Sequence, residues 1–372
     1  MFKNIVRKPL PKISKIWTFY FFVKVGYLFF AHFVVASVTR LGDTPRYFNG
    51  PTAWRSDWFY NSTTMMDSFA SLFGNILGPY FGSFPFLVLS FAGVYYPISK
   101  MELSKKQLYL LIIMLSVPSF GVWTSIASKE AVGVFYLGVI LAGYIDIYQR
   151  RSVQNRILFF IAVYLLLVFK PQYAVGVFAL FVFTWFGRKF RFNGGLKLLS
   201  FVLAVALGAL ALYLARDVID SLSKIMPTHF STEAGSTREN TIWVDKYDFF
   251  KNSAYGMYIG FVGPTLSEAL SKPTHMAAWI ESMFVIFFFF YFSLKYLLVS
   301  VRVSKVNIMF LGGFSLCTFW ILLVHYPFGA LNPGSAVRYR ESFYAFLVCL
   351  FLFLYLNASR SLVHRSPKDM AI

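Results

Sequence analysis

Charge is what this chain has least of. Of its 372 residues, 14% are Asp, Glu, Lys or Arg, against 58% hydrophobic and 20% aromatic. A soluble domain carries roughly 25% charged residues, so the chain lacks the polar surface that water requires. Cysteine is nearly absent. Cys317 and Cys349 both lie in apolar stretches, which excludes a disulfide framework and a cysteine-built metal centre. The five histidines are scattered, without HxxxH or HExxH spacing, so no metal site and no cofactor is expected. There is no glycine-rich phosphate loop, no internal repeat, and no low-complexity tract beyond a Phe and Leu richness that lipid contact explains. The first apolar run is too long for a signal peptide and has no small-residue cleavage site, so a cleaved leader is not expected.

What is present is a succession of apolar runs, each near the length that crosses a bilayer. Mean hydropathy is +0.61. The sequence predicts an all-α, polytopic transmembrane bundle of about ten spans, at 17–38, 84–99, 107–122, 131–148, 156–169, 173–187, 196–215, 277–298, 306–325 and 341–357. "MMDSFASLFGNILGPYFG" (65–82) is apolar on one side and broken by Gly and Pro, and reads as an interfacial helix on the outer surface. The whole chain is then one integral membrane domain. Seven spans lie within 16–216, a large extracytoplasmic loop occupies 216–276, and three spans lie within 277–358.

A net charge of +19 raises the possibility of nucleic acid, but basic residues also gather in cytoplasmic loops and orient a membrane protein. The segments that the ten-span scheme places inside hold 21 Lys and Arg, and those outside hold 13. Short basic connectors such as "QRRSVQNR" and "GRKFRF" alternate with nearly uncharged ones. Both termini are therefore expected on the cytoplasmic side, with no nucleic-acid partner. The same scheme sends the chemically suggestive polar segments to one face: "GDTPRYF", "WTSIASKE", "FKPQY", the 216–276 loop and "HYPFGALNPGSAVRYRE".

Each of these segments has a functional and a structural reading. Asp43, four residues before Tyr47 and beside Arg46, suits a general base that removes a proton from an incoming hydroxyl. Asp57 is a second candidate. Helix capping or pairing with Arg46 explains Asp43 equally well. Lys129 and Glu130 stand at the outer start of a span, where ionisable groups are costly unless paired or working on a substrate. Lys129 suits a phosphate. A snorkelling lysine and a glutamate on the helix dipole are the structural alternative. Lys170 sits in a very short outer turn with Pro171, and positive charge there runs against the usual bias. Arg338 and Arg340 flank Tyr339 at the outer start of the last span, with Glu341 placed to hold one guanidinium. Arginine forks bind phosphate oxygens in pairs, so these two lead the phosphate-binding set. In the long loop, Glu268, His229 and the aromatic residues Trp243, Tyr247, Tyr255 and Tyr258 suit carbohydrate, and equally suit a loop resting on a membrane interface.

Three of these stretches carry a resemblance. "GDTPRY" after the first span is similar to the first outer loop of GT-C membrane glycosyltransferases. "PSFGVWTSIASKEA" and "GALNPGSAVRYRES" resemble segments of bacterial polysaccharide-assembly proteins, the Wzy-type O-antigen polymerases and EpsG-like proteins. The resemblance implies a catalytic or acceptor-positioning role for Asp43. It also implies binding of a lipid carrier's diphosphate by Arg338 and Arg340, with Lys129. The chain lacks the second acidic pair and the large soluble C-terminal domain of many GT-C enzymes, which argues against metal-dependent chemistry. The expectation is a glycosyltransferase or polymerase of the bacterial inner (cytoplasmic) membrane. It would use a polyprenyl-linked sugar donor and a glycan or lipid-linked glycan acceptor, among membrane lipids and other polysaccharide-assembly proteins. A transporter or flippase of the same lipid-linked sugar is the alternative. It is disfavoured by the lack of repeats and by a first span that buries only Lys24 and His32. A membrane acyltransferase is disfavoured by the lack of a His-Asp or Arg-His pairing near the first span.

Overall fold

The computed structural model describes residues 15–52, 55–190, 193–229 and 237–363. The chain ends, and residues 230–236 of the long outer segment, lie outside the described residues. No strand occurs among the described residues, so the all-α class holds. Six helices are long and apolar enough to cross a membrane: Lys15–Val38, Lys129–Tyr148, Gly194–Leu214, Pro273–Arg302, Met309–Ala330 and Pro333–Ser361. A seventh follows if Ser62–Phe81 and Phe84–Ile98, which meet at a 94° bend, are one broken span.

The count falls below ten for local reasons. The run 107–122 is two helices, Lys105–Met114 and Pro118–Trp123. Val117 is extended ahead of Pro118, which opens the second helix because it has no N–H to continue the first. Arg156–Phe169 has only 14 residues. Pro171–Lys189 is diluted by Gln172, Arg188 and Lys189 at its ends.

The contacts divide the chain into two compact units, Met1–Val163 and Tyr164–Ile372. The first contains α1 (Lys15–Val38), α2 (Thr44–Phe48), α3 (Ser62–Phe81), α4 (Phe84–Ile98), α5 (Lys105–Met114), α6 (Pro118–Trp123) and α7 (Lys129–Tyr148). Helix α7 is its buried centre. α4 runs parallel to α7: Gly138 packs directly on the Gly93 backbone, and the buried Lys100–Asp146 ion pair joins the same ends of both. No other residue fits at either glycine without parting the helices. In α3, Gly78 takes φ +80°, a left-handed conformation that a side chain disfavours, and the chain doubles back so that Gly82 meets Gly74.

α8 (Arg156–Phe169) straddles the division. The second unit contains α9 (Pro171–Lys189), α10 (Gly194–Leu214), α11 (Arg216–Ser223), α12 (Met226–His229), α13 (Asp248–Lys251), α14 (Ser253–Val262), α15 (Leu266–Ser271), α16 (Pro273–Arg302), α17 (Met309–Ala330) and α18 (Pro333–Val363). Helices α9 and α17 are antiparallel: Trp320 Nε1 donates to the Gln172 carbonyl at 3.0 Å, and Gly187 lies against Met309. The 216–276 segment, read from sequence as a loop, is largely helical. Its α14 wedges Gly256 and Gly260 against Tyr326 of α17. Trp243 Nε1 donates to the Tyr326 hydroxyl at 2.8 Å, which donates to the Phe249 carbonyl at 2.7 Å. The segment is thus packed into its unit by aromatic contact and hydrogen bonds.

Candidate functional site

In the first unit the polar residues gather around the break between α6 and α7. The connecting residues Thr124–Ser128 are buried although they are not helical. Non-helical backbone at membrane depth needs protein partners for its polar groups, and here side chains supply them. Ser128 caps α7 by accepting from Ala131 N at 3.0 Å. Ser83 Oγ accepts from Ala127 N at 3.1 Å, and Thr44 Oγ1 donates to the Ala127 carbonyl at 2.9 Å. That last bond places the start of α2, and with it Asp43, beside the start of α7.

Around this junction stand Asp43, Arg46, Tyr47, Lys129 and Glu130. Asp43 makes no capping bond to α2, and its carboxylate is 4.0 Å from Arg46 Nε and about half exposed. Arg46 is the clamp between α2 and α3. Its Nη1 lies 3.3 Å from both Asp67 oxygens, and its guanidinium stacks 4.7 Å over the buried Tyr47 ring. Lys129 Nζ donates to Ser62 Oγ at 3.0 Å and Thr63 Oγ1 at 2.8 Å, at the start of α3, and lies within electrostatic reach of Glu130, Asp43, Arg46 and Asp67. Glu130 is buried in the first turn of α7, where the helix dipole favours a negative group. Asp57 is different. The Thr64 hydroxyl, against a weaker opposing effect of burial, and then Arg55 and Asn61 hold its carboxyl below the usual range. A carboxylate so well supplied with donors is a poor proton acceptor.

In the second unit Lys170 and Arg338 converge on one ring. Lys170 Nζ lies 4.7 Å from the Tyr339 ring centre and 5.3 Å from that of Phe328. The Arg338 guanidinium stacks 4.5 Å over Tyr339 and donates to its hydroxyl at 2.7 Å.

Arg340 does not join them. The last helix starts at Pro333, so Arg338 and Arg340 are in its interior, two residues apart and on different faces. Arg340 is 1% exposed, and all its N–H groups are taken. Nε and Nη2 donate to Glu341 at 3.0 and 2.8 Å, Nη2 also to Glu281 at 2.9 Å, and Nη1 to Ser282 at 2.5 Å and the Phe261 carbonyl at 3.0 Å. No edge of this guanidinium is left for phosphate. The structure moves Arg340 from ligand binding to the frame that holds α14, α16 and α18 together, with Glu341 among the groups that hold its guanidinium. Glu268 is likewise a frame residue: both its oxygens take Arg238 at 2.6 Å, and it closes a capping box with Thr265. Burial pushes its carboxyl up, but the Arg238 hydrogen bonds and the Thr265 backbone N–H outweigh this and bring it down to about 2.

Sequence reasoning missed Asp67, Ser62, Thr63, Glu281 and Phe328. "NSTT" ahead of an apolar helix was a legible cap, and Asn61 does accept from Thr63 N and Thr64 N. The others carry no local signal, since each acquires its role from a partner distant in the chain. Among the described residues no cluster of His, Cys, Asp and Glu has metal-binding geometry. No protein-family model, no curated protein and no solved structure matches the chain.

Proposed function

We propose that the protein is a membrane glycosyltransferase or polymerase acting on polyprenyl-(di)phosphate-linked sugars, at the extracytoplasmic face of the bacterial cytoplasmic membrane, in cell-surface polysaccharide assembly. One observation carries this: a half-exposed carboxylate, Asp43, stands in one cluster with Lys129 at the start of α7. A transfer reaction needs that combination. Asp43 takes the proton of the acceptor hydroxyl as its oxygen bonds to the anomeric carbon. The bond from that carbon to the carrier phosphate breaks, and its electrons leave with the phosphate. Lys129 and the N-terminal N–H groups of α7 stabilise the departing charge, an effect of roughly 3–4 kcal/mol for one well-placed donor. Lys170 and Arg338, beside Tyr339, offer an anion-binding cluster in the second unit. The resemblance of "GDTPRY", "PSFGVWTSIASKEA" and "GALNPGSAVRYRES" to the polysaccharide-assembly proteins supports the same reading. The helices too short to cross alone are taken to complete the ten passages that the charge pattern requires, with both termini cytoplasmic.

The broken α3–α4 pair and the buried Lys24 favour a second reading, a flippase for the same lipid-linked sugar. Deleting the gene in its native cell and separating surface polysaccharide by gel distinguishes the two. Single-repeat chains mark a polymerase, and a missing side sugar marks a transferase. Lipid-linked sugar trapped on the cytoplasmic leaflet marks a flippase. Unchanged polysaccharide removes all three. Asp43→Asn and Arg338→Lys are each expected to abolish function with normal amounts of membrane protein, and normal function in both variants refutes the site.

A further inference from the structure

Lys24 is the tenth residue of α1, a 24-residue helix of membrane-crossing length, and it is 1% exposed. At 1.5 Å per residue it lies about 14 Å from the start of the helix and about 21 Å from its end, so its chain of methylenes is too short to carry the nitrogen to water. The side chain turns inward instead. Nζ donates to Thr124 Oγ1 at 2.7 Å, and it stands 5.3 Å from the centre of the Phe120 ring. The Thr124 hydroxyl hydrogen is itself committed to the Phe120 carbonyl at 2.5 Å, so Thr124 meets Lys24 as an acceptor only.

Among the described residues, the elements packed on α1 bring no charge to this nitrogen. α6 contributes none, and α4 contributes only the phenols Tyr95 and Tyr96. Within α1, Tyr20 and Tyr27 donate their hydroxyls to the Leu115 and Ser116 carbonyls, and His32 is bonded to Ser83. Among the described residues no carboxylate is within ion-pair distance of Lys24. An ammonium presents three donors where the site offers a hydroxyl oxygen and a ring face. Burying an ammonium without a counter-ion costs several kcal/mol, whereas a neutral amine meets this site at little cost.

The place of this amine in the fold matters as much as its surroundings. Thr124 is the first residue of the non-helical stretch that separates α6 from α7. Side chains of Ser83, Thr44 and Ser90 tether that stretch. Val23, Gly26, Tyr27 and Phe30 of α1 and Pro118 of α6 line an open apolar groove of about 420 Å³.

We propose that Lys24 is a proton-binding site coupled to the α6–α7 break. In the closed packing seen here it is an uncharged amine. When the break opens to water the amine takes a proton and becomes an ammonium, and reclosure returns that proton to water. Closing the first unit is thus a proton-releasing step, and this holds for a transferase or a flippase alike.

Two measurements test it on the full chain in lipid nanodiscs. Lysine labelled with ¹⁵N at Nζ is expected to give, at pH 9, where an ordinary lysine is still an ammonium, one resonance in the free-amine range that disappears in Lys24→Met. A Lys24 resonance in the ammonium range overturns the proposal. The second is thermal stability against pH. The closed state binds one proton fewer than the opened one, so raising the pH favours it. The melting temperature of the wild type minus that of Lys24→Met is expected to rise from pH 6 to pH 9, and a flat or falling difference refutes the coupling. Should Lys24→Met not accumulate, Lys24→Gln serves as the uncharged reference. Arg cannot shed its proton at these pH values, so Lys24→Arg is expected to open the break, read as faster labelling of a cysteine placed by Ser125→Cys. Protection equal to that of wild-type Lys24 shows that the closed site accepts a charge.

Discussion

Arg338 and Arg340 stand two positions apart and do opposite work. The first lies over Tyr339 with Lys170 across the ring, while the second is enclosed by Glu281, Glu341, Ser282 and the Phe261 carbonyl. Their variants should separate cleanly. Removing one partner of a buried ion pair leaves the others uncompensated, at about 3–5 kcal/mol. Arg340→Met is therefore expected to lower both the melting temperature in detergent and the amount of protein in the membrane, while Arg338→Lys leaves both near wild type. Equal stability loss in the two would mean that Arg338 is a frame residue as well. Glu268 adds a pH prediction. Its folded carboxyl is held at about 2, below its unfolded value, so its contribution is complete above the unfolded value near 4.5 and is lost as pH falls toward 2. Acid unfolding curves of the wild type and Glu268→Gln should converge at the low end of that window. A gap that widened toward pH 2 would contradict the sign.

Among the helices, the contact of α4 with α7 is the closest, because Gly93 and Gly138 allow backbone to approach backbone. Gly138→Leu has no space into which to relax, since the obstructing atoms are the Gly93 carbonyl and backbone. It is expected to destabilise the first unit by about 1–3 kcal/mol or more, measured as a fall in melting temperature. Ser128 is the cap on which the start of α7 depends, and Ser128→Ala is expected to cost about 1 kcal/mol. If the N-terminal N–H groups of α7 bind a phosphate as proposed, the same variant also lowers transfer activity. Unchanged activity alongside the stability loss would assign the cap to structure alone. Helix boundaries decided much of the residue assignment. The last apolar run is legible from 341, but the helix begins at Pro333, and those eight extra residues turn an interfacial arginine pair into an internal one.

For the molecule as a whole, the parallel course of α4 and α7 requires the chain to return between them through α5 and α6, short as each is. That return puts the α2–α3 region and the connector after α4 at opposite ends of the first unit. Cysteines introduced by Tyr60→Cys and Lys106→Cys should accordingly react with an impermeant maleimide from opposite sides of the membrane. The native Cys317 and Cys349 are buried and contribute no background. Labelling of both from one side would show that α4 does not cross, and would end the proposed orientation.

Composition and run length pointed to an all-α, membrane-embedded chain, because apolar runs of this length exceed a barrel strand and satisfy their own backbone as helices. Helix-start signals of short range were legible too: Asn61 and Ser128 sit where capping residues belong, and Pro118 breaks the run it interrupts. The candidate site was legible only as residue types, with Asp43, Lys129 and Arg338 noticed for being polar at an apolar edge. Whether a given charge faces a ligand or another charge depends on partners far along the chain. Arg340 with Glu281, Arg238 with Glu268, and Lys24 with Thr124 acquired their roles only from the tertiary structure. The physical reason is that a buried charge is defined by what desolvates and neutralises it, and those groups have no fixed spacing in sequence.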